Sequence, residues 1–120
     1  MSDISGVRSL SPSDQLALAA LLRLLVRLDG KFSQEEQSAL EEIALVYGEK
    51  TFWQMMDEAG RKLPDEDSIK RQALVVTEPG ARELIFGCIL GVAQADSVQG
   101  REQGLLEWLR AEWQLGESSG

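Results

Sequence analysis

The stretch LALAALLRLLVRLDGKFSQEE, residues 16–36, decides the fold class of this chain. Up to Leu28 it is apolar except for Arg23 and Arg27, which share one narrow helical stripe with Gln15 and Ala19. A helix that is apolar on most of its surface must be covered by other helices, so we expect it near the centre of the protein. The preceding SPSD, residues 11–14, is a typical helix start.

The end of this stretch, DGKFSQEE, predicts a corner between two helices. Gly30 can adopt the left-handed conformation that ends a helix. Ser33 and Glu36 have the S-x-x-E spacing of a capping box, which starts a second helix running to about Tyr47.

The same corner also resembles half of a calcium-binding loop. Asp29, Gly30 and Glu36 match positions five, six and twelve of an EF-hand, but Leu25 and Arg27 stand at positions one and three, where oxygen ligands belong. The sequence therefore excludes an EF-hand. It leaves open a looser metal site built from Asp29, Glu35 and Glu36, as an alternative to purely structural roles at the helix ends.

Helical periodicity continues along the remaining chain, and no strand is predicted. We expect helices over about 50–59, 65–76, 81–95 and 100–114. The third of these, ARELIFGCILGVAQA, is a second apolar helix, and Gly87 and Gly91 favour close contact with a neighbour. The prediction is one compact all-α bundle of about six helices at 11–115, arranged as two pseudo-repeated hairpins with two buried central helices. A flexible N-terminus at 1–10 and a frayed tail at 116–120 flank it.

The composition argues against several classes of function. The 120 residues carry a net charge of −8, which repels nucleic acid. No run is apolar and long enough for a membrane span and no signal peptide is visible, so we expect a cytoplasmic protein without membrane insertion. Histidine is absent, and the lone Cys88 lies in an apolar helix, so we predict no catalytic residue and no enzyme activity.

An excess of large apolar side chains in one segment suggests a binding surface. YGEKTFWQMM, residues 47–56, holds more large apolar side chains than one face of a short helix can bury. We predict that Trp53, Met55 and Tyr47, with Trp113 on the last helix, contact a protein partner. The alternative is that a neighbouring helix covers them.

The pattern DG-x-F-S-x-x-E after an apolar helix, with a degenerate second copy at QADSVQGREQGLLEWL, resembles the TerB-like family of bacterial tellurite-resistance proteins. That family is similar to a domain of membrane-anchored J-domain co-chaperones. The resemblance implies an all-helical fold in two halves and a role in stress responses or membrane-associated complexes. It also implies binding of a divalent cation, Ca²⁺ or Mg²⁺, through Asp29, Glu36, Asp96 and Glu102, although Ser97 replaces the glycine in the second copy.

The resulting functional prediction is a non-enzymatic, acidic helical module that docks a protein partner in such a bacterial complex. Self-association is left open. A divalent-cation sensor or buffer that uses the Asp-Gly corners is the first alternative. A small enzyme that uses carboxylates is the second and less favoured one.

Overall fold

The computed structural model of the chain describes residues 10–29, 34–94 and 100–115. In these ranges six α-helices follow one another without a strand: α1 (Pro12–Asp29), α2 (Gln34–Tyr47), α3 (Glu49–Lys62), α4 (Glu66–Val75), α5 (Pro79–Gln94) and α6 (Gly100–Trp113). The prediction of a single all-α bundle is confirmed. None of these six helices combines the length and the apolarity that crossing a membrane would require.

The first apolar helix lies at the centre, as predicted. α1 packs against α3, α4, α5 and α6. Its fully buried side chains include Ala17, Leu18, Leu21, Leu22 and Leu25. α5 is the second central helix, because it contacts α1, α2 and α6.

The polar stripe of α1 differs from a simple solvent-facing stripe because α3 lies along it. Only Arg27 is exposed, while Ala19 is fully buried and Gln15 and Arg23 are half-buried. Gln15 donates a hydrogen bond to the carbonyl of Leu10 at 2.8 Å. The polar side chains of this central helix thus lie at the surface of the bundle, where they can contact neighbouring segments.

The two predicted hairpins, α1–α2 and α5–α6, differ in how their helices pack. α5 and α6 lie directly against each other, whereas α2 packs mainly on α3 and α5. A single residue, Gly48, joins α2 to α3, and its φ of 107° is a conformation that side chains rarely adopt. Of the two predicted hairpins, α5 and α6 pack directly on each other, whereas α1 packs mainly on α3 and α4 rather than on α2.

α3 is longer than the sequence predicted. We expected its end near Ala59 and Gly60, but the helix continues to Lys62. Its end is set by Pro64, which disfavours helical geometry at the preceding Leu63, where φ is −128°. Gly60 is thus an internal helical residue.

The turn from α3 into α4 is fixed by a capping box. The Asp65 carboxylate accepts a hydrogen bond from the backbone N–H of Ser68 at 2.8 Å, and the backbone N–H of Asp65 donates to Ser68 Oγ at 3.4 Å. The hydrogen bonds from Ser68 hold the pKa of the exposed Asp65 carboxyl below its ordinary value. This cap starts α4 at Glu66, close to the predicted boundary.

Candidate functional site

An apolar groove of about 240 Å³ opens between α1, α2 and α3. Its apolar lining comes from Val26, Leu40, Met56 and Trp53, and the two arginines of α1, Arg23 and Arg27, complete it. We call this feature the Trp53 groove. One side of the groove is formed by α2, and the other by α3 and the polar stripe of α1.

Trp53 is held at the groove by its neighbour in sequence. Phe52 is fully buried and its ring lies 6.1 Å from the ring of Tyr47, measured between centroids. The Trp53 ring meets the Phe52 ring edge-on, at 4.9 Å and 79°. Such aromatic pairs are stabilised by more than the area they bury. Trp53 is therefore oriented by the core although 45% of it remains exposed.

Two other residues of the predicted partner-binding set are core residues, which corrects the prediction. Tyr47 and Met55 are buried, and the Tyr47 hydroxyl donates to the sulfur of Met55 at 3.3 Å. Burial raises the pKa of Tyr47 to about 12. Phe52, Met55, Met56 and Ala59 together form the buried face of α3. This i, i+3, i+4, i+7 spacing was available in the sequence and would have placed Met55 inside.

Trp113 is also withdrawn from the predicted surface. It is 2% exposed, and its indole N–H donates to the carbonyl of Ala73 in α4 at 3.1 Å. Nearby, the Lys70 ammonium of α4 lies 4.9 Å from the centre of the Trp108 ring of α6. Trp113 thus joins α6 to α4 inside the protein, and Trp53 alone of the four predicted residues is exposed.

The arginines of the groove were not predicted as site residues. The Arg23 guanidinium donates from Nη1 to the carbonyl of Met56 at 3.3 Å, and Arg27 donates from Nη1 to the carbonyl of Pro64 at 3.4 Å. The signal in the sequence was their i, i+4 spacing in an otherwise apolar helix. It gave their shared face but not the helix that lies against it.

The predicted metal ligands fall largely outside the described part of the chain. Asp96 and the side chains of Asp29 and Glu102 lie there. Glu36 is described and is 2% exposed at the start of α2. Within the described residues, no three or more acidic or cysteine side chains come close enough together to hold a metal ion. Cation binding at the two corners stays a prediction.

The surroundings of Cys88 and Glu58 explain the direction in which the pKa of each group is shifted. Cys88 is 3% exposed, and burial raises its pKa to about 11. The pKa of Glu58 is lowered by its hydrogen bond and ion pair with Lys62, at 2.7 Å. This pair is a surface contact one helical turn apart within α3.

Gly87 and Gly91 of α5 do not make the close helix contact that the sequence predicted. A Cβ atom built at Gly87 or Gly91 would meet no neighbouring atom within 4 Å. Both glycines instead line a second groove, of about 370 Å³, whose other wall is α2. The face was predicted correctly, but the sequence does not show how far away the neighbouring helix lies.

Comparison of the chain with protein-family models, with curated proteins and with solved structures finds no match. The resemblance to the TerB-like family stays a prediction carried by the two corner motifs. What the fold and the groove define is a class: a helical bundle with one exposed tryptophan beside an apolar groove.

Proposed function

We propose that this chain is a non-enzymatic docking module that binds a protein partner through the Trp53 groove. The observation that carries the proposal is the exposure of Trp53 beside an apolar groove. Tryptophan and arginine are enriched at the residues that contribute most to protein–protein binding, and such residues sit in apolar pockets. The Trp53 groove contains both residue types within one small area.

The shape of the groove favours a protein partner over a small-molecule ligand. Sites for cofactors and metabolites usually bury most of the ligand. The Trp53 groove is instead open at the surface and bordered by a tryptophan that is 45% exposed. Such a groove is better suited to one large side chain presented by another polypeptide.

The resemblance to TerB-like proteins suggests the setting for this function. On that basis we propose a bacterial stress-response or membrane-associated complex as the place where the module acts. The docking proposal itself does not depend on that setting, because it rests on the exposed side chain and the groove.

Affinity capture with two matched variants tests the proposal. The immobilised chain is exposed to lysate from its native cells, and bound proteins are identified by mass spectrometry. Trp53→Ala removes the exposed ring, whereas Leu74→Ala removes an apolar side chain of similar exposure, 47%, on α4 and away from the groove. We expect partners of the wild-type chain to be retained by Leu74→Ala and lost by Trp53→Ala.

Two results would count against docking at this groove. One is retention of all partners by Trp53→Ala. The other is loss of helicity in Trp53→Ala, measured by far-UV circular dichroism, because Trp53 would then be a core residue.

A further inference from the structure

We infer that the partner segment bound in the Trp53 groove is acidic and amphipathic, with a carboxylate next to a large apolar side chain. This inference rests on the proposed function and specifies its partner. It follows from the charges of the groove, which are opposite in sign to the net charge of −8 of the chain.

The arginines of the groove have no acidic partner among the described residues, a property that they share with Lys50, Arg71, Arg82 and Arg110 but not with three other cations. What sets Arg23 and Arg27 apart is that they border an apolar groove. Arg61, Lys62 and Lys70 each pair with a carboxylate one helical turn away, at 3.5, 2.7 and 3.1 Å. Among the described residues, Arg23 and Arg27 have no carboxylate within ion-pair distance and each makes one hydrogen bond, to a backbone carbonyl. A guanidinium carries five N–H donors, so both retain donors for a ligand.

The guanidinium of Arg23, a residue of α1, lies against the backbone of α3 at Met56 and Gly60. A Cβ atom at Gly60 would lie 2.5 Å from Nη2 and 2.6 Å from Cζ of Arg23, far inside van der Waals contact. Glycine inside a helix is less stable than alanine. At this position the missing side chain provides the space in which the guanidinium lies, beside the carbonyl of Met56. α3 thus holds a cation at the wall of an apolar groove.

The two cations select among polypeptide partners. A basic segment would bring like charges beside Arg23 and Arg27 as the groove excludes water, which is unfavourable. An acidic segment can place a carboxylate against a guanidinium with two parallel hydrogen bonds, an arrangement stronger than neutral hydrogen bonds. The apolar lining and Trp53 then receive the adjacent large side chain.

Selection from a random peptide library displayed on phage provides the probe. The library is selected against the full chain, with prior depletion on the Trp53→Ala chain. Selected peptides are synthesised in two forms, as selected and with every Asp and Glu replaced by Asn and Gln. Dissociation constants are then measured for wild-type chain and for Arg23→Gln, Arg27→Gln and Arg71→Gln, each checked for folding by circular dichroism. Arg71 is an exposed arginine of α4 outside the groove.

We expect the selected peptides to carry Asp or Glu beside Trp, Phe, Leu or Met. Each groove substitution should weaken the acidic form about tenfold and the amide form much less, because the lost contact is a charge-assisted hydrogen bond. Arg71→Gln should leave both forms unchanged. If Arg23→Gln fails to fold, the exposed Arg27 still gives the same comparison.

Three outcomes would overturn the inference. Peptides that require Trp53 but bind equally well as amides would refute the acidic partner while docking at the groove stands. Failure to enrich any peptide that distinguishes wild type from Trp53→Ala would count against both the inference and the proposed function. Sedimentation showing self-association that Trp53→Ala abolishes would make a second copy of the chain the occupant instead.

Discussion

Replacing Trp113 by alanine should lower the free energy of unfolding far more than an alanine substitution at an exposed position such as Leu74. Trp113 is 2% exposed, so nearly its whole side chain is removed from water on folding. Truncation of a buried aromatic side chain costs about 3–5 kcal/mol. A chain of 120 residues has a total stability of roughly 6–18 kcal/mol, so this single change should remove a large part of it.

A second substitution at the same position separates packing from hydrogen bonding. Trp113→Phe keeps most of the apolar contact but removes the N–H that donates to the carbonyl of Ala73. That carbonyl still accepts a hydrogen bond from the backbone N–H of Val76 at 3.2 Å, so it is not left without a donor. We therefore expect a cost of about 1–2 kcal/mol, the sum of one hydrogen bond and a small loss of packing.

Urea denaturation followed by far-UV circular dichroism measures both costs. The expected order of midpoints is wild type, then Trp113→Phe, then Trp113→Ala, with similar slopes if the extent of unfolding is unchanged. Leu74→Ala, an exposed position on α4, should change stability by less than about 1 kcal/mol. A loss below about 1 kcal/mol for Trp113→Ala would refute the burial of α6 against α4 through this side chain.

Three further predictions concern other parts of the bundle. Gly87→Ala and Gly91→Ala should each raise the free energy of unfolding by about 0.4–1 kcal/mol, because the added Cβ atom meets no neighbour within 4 Å. Urea denaturation measures this change, and destabilisation would instead indicate close helix packing. Cys88 should be alkylated slowly by iodoacetamide at about pH 8, because raising the pKa of the thiol from its ordinary value of 9.0 to about 11 leaves roughly 100-fold less thiolate. Fast alkylation without urea would contradict its burial. The difference in urea midpoint between wild type and Asp65→Ala should be largest near neutral pH. It should shrink as the pH falls through the lowered pKa of Asp65, because protonation removes the carboxylate that accepts from the Ser68 N–H; a difference that does not change with pH would count against the cap.

The sequence predicted the helices well because each one has local start and stop signals. Pro12 and Pro79 begin α1 and α5, and Gly48 separates α2 from α3, at or close to the predicted places. The central position of α1 was also predictable, since a helix that is apolar on most sides has no stable position at the surface. These conclusions need only information from neighbouring residues.

The errors concern which helix covers which face. Met55 and Trp113 follow the buried faces of α3 and α6 at helical spacing, so their burial was readable from the sequence. The excess of large apolar side chains was compatible with a partner surface or with cover by a neighbouring helix, and the second interpretation holds for Tyr47, Met55 and Trp113. For Trp53, the same periodicity correctly leaves it outside the buried face.

The groove itself could not be predicted from local patterns. It is lined by side chains of three helices, and one of these, Arg23, lies beside Gly60 of α3, a residue with which it has no relation in sequence spacing. A glycine inside a helix signals only that something unusual occupies the space of its side chain. Which group that is depends on how α1 and α3 cross, and this is determined by the packing of the whole bundle.

The central position of α1 also affects how the protein is made. α1 is synthesised before α3, α4, α5 and α6, the helices that cover it. At ordinary translation rates of about 5–20 residues per second, its apolar surface waits roughly 4–17 s for α6 to be completed. During that time it is a binding surface for chaperones and for other nascent chains. Truncated chains that end before α3 lack the helices that cover α1 and should aggregate instead of folding.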